Sequence, residues 1–214
     1  MAKTESAKAM DDLQSQLRPF FKEHGFRMRA RTCNRTTSDG LTHVVNFQMG
    51  RFDPPGTNFI AGFREDLYGS FTVNVGVYVP EIAVAQHYWV KPRVFAQEVD
   101  CCIRVRLAQL SGESDVWWKL PADERATANL HLRFERDAFP YLSRLQDRES
   151  VLQELDRGGS IAPRIYRAII LAARGELDSA TELLKEQMKS SNSAKHSEYL
   201  RELAKRLGLG QIEL

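Results

Sequence analysis

The chain has 214 residues, a formal net charge of +2 and 43% hydrophobic residues. This length predicts one large domain, or a medium domain with a small appendage, and the apolar content excludes disorder as the main state. No apolar run approaches the roughly 20 residues of a membrane helix, and the near-neutral charge gives no general attraction to nucleic acid. We expect a cytoplasmic protein for two reasons. The three cysteines lack the spacing of a disulfide framework, and the first residues lack the apolar core of a signal peptide.

The N-terminal part is predicted to be one helix followed by an antiparallel sheet. Apolar residues recur at helical spacing from Lys8 to Glu23, and Gly25 stands where a left-handed cap ends a helix. The period then changes to two. The predicted strands cover residues 26–33, 41–49, 71–79 and 101–110, with a Ser38-Asp39-Gly40 turn before the second strand. Within the connection from residue 51 to 70, we expect local structure around Asn58–Phe63.

The remainder of the chain is predicted to be helical. A long amphipathic helix runs from Asp123 to Leu145 with an interruption near Pro140, and a short helix covers Arg148–Leu155. Gly158-Gly159 is a plausible linker, Ser160 a plausible cap, and a helical hairpin follows. We therefore predict an α+β fold: an N-terminal helix on an antiparallel β-sheet, a long helix after the sheet, and a C-terminal helical extension. The predicted boundary separates an α+β domain, residues 1–157, from a helical hairpin extension, residues 158–214.

Signatures of catalysis are missing from the sequence. It has no glycine-rich phosphate loop, no nucleophile elbow and no pair of histidines at metal-binding spacing. We therefore predict no catalytic residue, no cofactor and no metal ligand, although a site assembled from distant residues stays open. His43 is predicted to be a packing histidine, and Cys101 and Cys102 to be partly buried thiols in a strand.

The best candidate for function is the polar side of the sheet. From residue 26 to 51 the chain carries five arginines and one acidic residue, and strand alternation places several arginines on one face. Guanidinium groups beside amides can bind an acidic protein patch or phosphates. The predicted partner-binding residues are Arg27, Arg29, Arg31, Asn46, Gln48, Asn74, Arg104, Arg106 and Trp117. The alternative is a solvated face whose arginines pair with carboxylates of the C-terminal helices.

Trp117 and Trp118 are adjacent in a predicted strand, so one of them must face away from the other. At least one of the two rings can then line a groove. The alternative is packing of both against the core or the long helix.

Several segments in order along the chain carry a family resemblance. They are Gly25-Phe26, Val45-Asn46-Phe47-Gln48, Phe71 to Val77, Asp100-Cys101, Ile103 to Leu107, Trp117-Trp118-Lys119-Leu120 and Phe139-Pro140-Tyr141-Leu142. Over roughly residues 11–155 this pattern resembles the bacterial domain of unknown function 4304. The connection from residue 51 to 70 is longer than the pattern, and Cys102 replaces an aliphatic residue. The resemblance implies a fold, but neither a reaction nor catalytic residues.

The segment from Ile165 to Met188 is similar to a hairpin of the tetratricopeptide type. One such unit cannot bury a continuous core by itself, since about three repeats are needed. We therefore expect this hairpin to pack on the sheet domain as an extension.

From these observations we expect a non-enzymatic bacterial protein that binds another protein, and neither a membrane nor nucleic acid. A toxin-neutralising (immunity) role is one concrete version, reached only by analogy with other small α+β bacterial domains. The alternative is an enzyme that acts on an anionic substrate at the arginine-rich sheet face.

Overall fold

The structure is a computed structural model, and it describes residues 3–50, 67–87, 91–157 and 161–210. The strands are β1 (Arg27–Arg29), β2 (Thr32–Thr36), β3 (Thr42–Met49), β4 (Ser70–Tyr78), β5 (Ile103–Arg106) and β6 (Trp118–Lys119). The α-helices are α1 (Glu5–Glu23), α2 (Pro80–His87), α3 (Leu107–Leu110), α4 (Glu124–Arg133), α5 (Phe139–Ser143), α6 (Arg148–Arg157), α7 (Ile161–Ala173), α8 (Leu177–Lys189) and α9 (Ala194–Arg206). The predictions for Asn58–Phe63 and for Gly158 to Ser160 lie outside the described residues.

Helix α1 confirms the first predicted element and begins three residues earlier. The Thr4 hydroxyl accepts a hydrogen bond from the backbone N–H of Ala7 (3.2 Å), which satisfies one of the free donors at the helix start. The helix continues through Pro19 to Glu23. Gly25, with φ at +78°, turns the chain toward the sheet as predicted.

The sheet is antiparallel, with strand order β1-β2-β3-β4-β5, and β6 pairs with the start of β4. All nine residues of β4 are buried, because elements cover both of its faces. One core cluster contains Phe71, Val73, Val75 and Val77 of β4 together with Leu13, Leu17, Phe20 and Phe21 of α1. The predicted packing of helix on sheet, and with it the α+β fold class, is confirmed.

The first predicted strand, residues 26–33, is wrong in one respect, because it is a hairpin of two strands. Ala30 has φ at +48° and forms a two-residue turn with Arg31, so that Arg29 pairs with Thr32. The two-residue turn inverts the phase of the alternation, because the paired residues Arg29 and Thr32 lie on the same face although one number is odd and the other even. The sequence did not indicate this turn, because it lacks glycine and asparagine, the usual signals.

The predicted strand at residues 101–110 is shorter than expected. Strand β5 ends at Arg106, and the next four residues form α3, whose Leu107 and Ala108 are buried. The Gln109 side chain accepts a hydrogen bond from the Arg106 backbone N–H (3.0 Å) at the start of this turn. The four residues from Leu107 to Leu110 are too few for their sequence pattern to distinguish a strand from one helical turn.

The long predicted helix is α4 and α5, joined by a π-helical segment at Phe134–Ala138. The interruption therefore precedes Pro140, which lies in the first turn of α5 where no backbone donor is needed. The extra residue of the π turn leaves both Phe134 and Phe139 in the core, with ring centroids 6.0 Å apart.

Helices α7 to α9 pack on the rest of the fold through α2 and α6. The Gln86 side chain of α2 donates a hydrogen bond to the Tyr199 hydroxyl of α9 (2.8 Å), and Arg206 donates to the Ala85 carbonyl (2.7 Å). The apolar core is continuous from the sheet into these helices and includes Ile169 of α7. The domain boundary after residue 157 stays a prediction. Among the described residues, no helix has both the length and the apolar character that a membrane crossing requires.

Arg148, at the start of α6, joins three parts of the fold. Its guanidinium donates two hydrogen bonds to the Glu81 carboxylate of α2 (2.6 and 2.9 Å) and one to the Asp39 carboxylate (2.9 Å) in the β2–β3 turn. The Arg148 backbone N–H also donates to Asp39 (2.9 Å). The hydrogen bonds to Glu81, and then the charges of Glu81 and Asp39, raise the pKa of Arg148.

Candidate functional site

Five residues on five neighbouring strands form a row across the polar face of the sheet. The strand registers place them opposite one another in the order Arg29, Thr32, Asn46, Asn74 and Arg106. Because neighbouring strands lie about 4.8 Å apart, the two arginine backbones at the ends of the row are about 19 Å apart. The predicted shared face of arginines and amides is therefore present, and it ends in a cation on either side.

Arg106 is held in a fixed orientation by its neighbours. Its guanidinium donates to the side-chain oxygens of Gln48 (2.9 Å) and Asn74 (2.7 Å), and its Nε lies 3.3 Å from the Asp115 carboxylate. It also lies over the ring of half-buried Trp117 (5.6 Å to the centroid), whose Nε1 donates to Asp115 (3.0 Å). Charge-assisted hydrogen bonds and the contact with the indole ring orient this guanidinium before any ligand arrives.

The amides between the two ends of the row are only partly satisfied. Asn46 Nδ2 donates to the Arg31 carbonyl (3.3 Å) and to the Thr32 hydroxyl (3.0 Å), and Asn74 Nδ2 donates to Gln48 Oε1 (3.0 Å). Within the described part of the chain, Asn46 Oδ1 and Gln48 Nε2 have no partner. One free acceptor and one free donor thus lie on the same face of β3, two residues apart.

Three arginines at the β1 end of the face lack a carboxylate partner in the described ranges. Arg27 and Arg29 are exposed, and Arg27 lies opposite Asn34 on the same face of the sheet as Arg29. Arg31 was predicted to share this face by strand alternation, and that placement is wrong, because Arg31 lies in the two-residue turn. The alternative that the arginines pair with carboxylates of the C-terminal helices does not hold for these three residues.

A second part of the polar face is covered, which the sequence did not indicate. The segment of residues 91–102, called the covering segment below, packs over β2 to β5. The side chain of Asn34 donates to the Ala96 carbonyl (3.1 Å) and accepts from the Ala96 N–H (2.8 Å), while Tyr78 accepts from the Arg93 N–H (3.0 Å). A small apolar cluster lies beneath this segment and consists of Val44, Tyr78, Ala83, Ala96 and Cys101.

Arg104 contacts this covered part, although its own side chain is half exposed. It lies opposite Gly76 on β4, and its Nε donates to the largely buried Glu98 carboxylate (2.7 Å), which its Nη2 also contacts. A Cβ atom at Gly76 would lie 2.8 Å from the Ile103 carbonyl oxygen and 3.0 Å from the Cys101 thiol sulfur, so glycine is needed for this close approach. The sequence predicted equal roles for Arg104 and Arg106, whereas the structure ties Arg104 to the covering segment.

Trp117 and Trp118 face different surroundings, as their adjacency predicted. Trp118 is buried and stacks on Phe71 (5.7 Å between centroids), while Trp117 contacts Arg106 on the polar face. We call the set of Arg27, Arg29, Asn46, Gln48, Asn74, Arg106 and Trp117 the arginine face, in which Arg27, Arg29 and Gln48 are exposed and Asn74 is buried. Seven of the nine predicted site residues therefore lie on it.

The metal-ligating side chains do not cluster in the described ranges, and burial perturbs the cysteine thiols. No group of three or more histidines, cysteines and carboxylates there has a metal-binding arrangement. Burial raises the pKa of Cys33 and Cys102 to about 12 and that of Cys101 well above its usual value. The vicinal cysteines precede β5 and are not part of a strand, Cys101 being buried and Cys102 half-buried.

His43 is the packing histidine that the sequence predicted. It is fully buried, its Nε2 lies 2.8 Å from the Leu145 carbonyl, and its Nδ1 lies 3.1 Å from an Arg35 guanidinium nitrogen. A neutral imidazole fits both contacts, because Nε2–H then donates and Nδ1 accepts. Burial, together with the nearby Arg35 charge, lowers the pKa to about 4, and the hydrogen bond to Leu145 opposes this shift.

This pKa predicts a loss of stability in acid. The unfolded state, with an ordinary histidine pKa of 6.5, binds a proton before the folded state does, so stability is complete above pH 6.5. It then falls as the pH drops toward 4, by about 3 kcal/mol in all. We expect His43→Gln, which keeps a donor for Leu145, to remove this part of the pH dependence in urea unfolding at pH 4.5 and 7. Parallel pH profiles for the two proteins would contradict the prediction.

Two grooves lie elsewhere on the described surface. One, of about 620 Å³, lies between α1 and α4 and includes Gln16, His131 and Glu135. The other, of about 490 Å³, lies between α2, α7 and α9 and includes Val84 and Ile169. Neither contains a residue of the arginine face.

One family model matches this chain. A family model described as a domain of unknown function (DUF4304) matches residues 17–136, more than half of the chain. The matched range contains the six strands described above and the whole arginine face, but not helices α5 to α9. The tetratricopeptide resemblance of Ile165 to Met188 stays a prediction. Neither the curated proteins nor the solved structures contain a match. Over its sheet and the helices on either side, the chain thus belongs to the DUF4304 family.

Proposed function

We propose that this protein binds another protein at the arginine face and acts by binding, without catalysis. The observation that carries the proposal is that Arg27 and Arg29 are exposed and have no carboxylate partner among the described residues. Unpaired cations held on a rigid sheet favour an acidic partner, because complementary charge speeds association and selects the partner.

Exposed apolar side chains on the covering segment support a protein partner. Val94 is 97% exposed and Val99 is 66% exposed, and both belong to the covering segment. The neighbouring Gln97 accepts a hydrogen bond from Thr32, which pairs with Arg29, so this segment lies next to the β1 end of the face. Arginine beside apolar side chains and tryptophan is the composition typical of protein interfaces.

Free, buried cysteines support a reducing compartment such as the bacterial cytoplasm. A toxin-neutralising role is one concrete form of the binding function that we propose. Such a protein needs a complementary surface and no reaction, and small α+β bacterial domains serve this role elsewhere.

The test compares two matched pairs of charge reversals. Arg27→Glu with Arg29→Glu changes the arginine face, and Arg125→Glu with Arg201→Glu changes two exposed arginines on α4 and α9. Partners captured from a lysate by the tagged full chain are identified by mass spectrometry, and one is then purified and titrated by calorimetry. We expect the first pair to weaken binding at least tenfold and the second pair to leave it unchanged, because only the first places like charges against an acidic partner.

Thermal melts accompany this experiment, because exposed substitutions should change stability only slightly. Arg104 is not used, since a glutamate there would face Glu98 and disturb the covering segment. Equal affinity of the wild type and the Arg27/Arg29 variant for the purified partner would overturn the proposal.

A further inference from the structure

We infer that the ligand of the arginine face is an extended acidic segment of the partner, lying across the strands from Arg29 to Arg106. This inference rests on the proposed function and names the kind of partner surface that the face fits. It is carried by the juxtaposition of two end cations with a free amide acceptor and a free amide donor between them.

The amides select a polypeptide in extended conformation. Asn46 Oδ1 and Gln48 Nε2 have no partner in the described part of the chain, and they lie on β3, between the two arginines. An extended segment exposes both an N–H and a C=O group at its backbone, whereas a helix uses these groups internally. Phosphates offer acceptors only, so they leave Asn46 Oδ1 unsatisfied.

The two cations set the spacing of the acidic residues. The Arg106 guanidinium is turned inward onto Gln48 and Asn74, so it lies near β3 and β4, about three strand spacings or 14 Å from β1. An extended segment rises about 3.3 Å per residue, and residues an even number apart share one side. Two carboxylates four residues apart are therefore about 13 Å apart and both point toward the arginine face. With a separation of five residues, one of the two carboxylates points away from the face.

Synthetic nine-residue peptides test this geometry. The first carries glutamates at positions 3 and 7 in a serine and threonine background, the second has glutamates at positions 3 and 8, and the third has glutamines at positions 3 and 7. Binding of the labelled peptides to the full chain is measured by fluorescence anisotropy at 50 and 300 mM NaCl. We expect the first peptide to bind at least fivefold more tightly than either of the others, and added salt to weaken it.

Variants of the chain assign the contacts. Arg29→Glu should weaken the first peptide at least tenfold, and the Asn46→Ala, Gln48→Ala pair should weaken it about fivefold with no change of charge. The Arg125→Glu, Arg201→Glu pair should leave binding unchanged. An equal response of all three peptides, or no binding of any, overturns the inference, as does tighter binding of a double-stranded DNA oligonucleotide or of tripolyphosphate. If the peptides fail while the Arg27/Arg29 variant still loses its purified partner, the inference is wrong and the proposed function stands.

Discussion

Replacing Val75 by aspartate is expected to lower the free energy of unfolding by about 5 kcal/mol, enough to unfold a protein of ordinary stability. Val75 has no exposed surface, and it lies at the centre of the sheet between Val45 and Val105. The side chain faces the core that α1 covers, so a carboxylate there has no cation or water to compensate its burial. Urea unfolding followed by tryptophan fluorescence and circular dichroism measures the loss.

Two further variants make this measurement decisive. Thr36→Asp places the same residue at an exposed strand position and should change stability by less than about 1 kcal/mol. Val75→Thr keeps the shape of valine but buries a hydroxyl, so it should fold with a loss of about 1–3 kcal/mol if Val75→Asp yields no folded protein. A near wild-type midpoint for Val75→Asp would mean that β4 does not face the core with this register.

The second large effect is expected at Arg148, where alanine should lower the free energy of unfolding by about 2–3 kcal/mol. The substitution removes hydrogen bonds to two carboxylates and leaves Glu81 and Asp39 without their cation. The Arg148 side chain is 25% exposed and that of Glu81 is 18% exposed, so solvent reduces the effect below that of a fully buried pair. Thermal and urea unfolding of Arg148→Ala measure the total loss in the free energy of unfolding.

A double-mutant cycle with Glu81→Gln isolates the pair from the packing of the arginine stem. We expect a coupling free energy of about 1.5–3 kcal/mol, since the hydrogen bonds involve charged groups. Arg157→Ala serves as the comparison. It breaks an exposed pair with Glu154, for which about 0.5 kcal/mol is typical. Equal losses for Arg148→Ala and Arg157→Ala would show that the three-way contact adds no stability.

The sequence was sufficient to predict the elements in which periodicity is long and unbroken. Helix α1 and strands β3 and β4 each carry one pattern over at least eight residues, and one face of each must be buried. The Ala30-Arg31 turn was not predictable, because it contains neither glycine nor asparagine and the apolar–polar alternation of the sequence runs on through it. The covering segment likewise has no periodic signal, since it is held by single contacts with β2 and β4.

The candidate site was predictable only in its residue types. Alternation placed Arg104 and Arg106 on one face, but their different roles depend on what covers each of them. The orientation of Arg106 requires the registers of β3, β4 and β5, which are pairings over long sequence separations. Arg148 was missed for the same reason, because its carboxylate partners lie 109 and 67 residues earlier in the chain.

Because the pKa values of the cysteine thiols are raised, the rate at which each thiol is alkylated reports how often its surroundings open. With a pKa of about 12, on the order of one Cys33 thiol in 10⁵ is a thiolate at pH 7, and burial also shields it, so alkylation must wait for a local opening. The alkylation rate of Cys33 in β2 reports the opening of the sheet, whereas that of Cys101 reports the separation of the covering segment from Gly76. Faster alkylation of Cys101 than of Cys33 would mean that the polar face beneath this segment is uncovered transiently while the sheet stays intact.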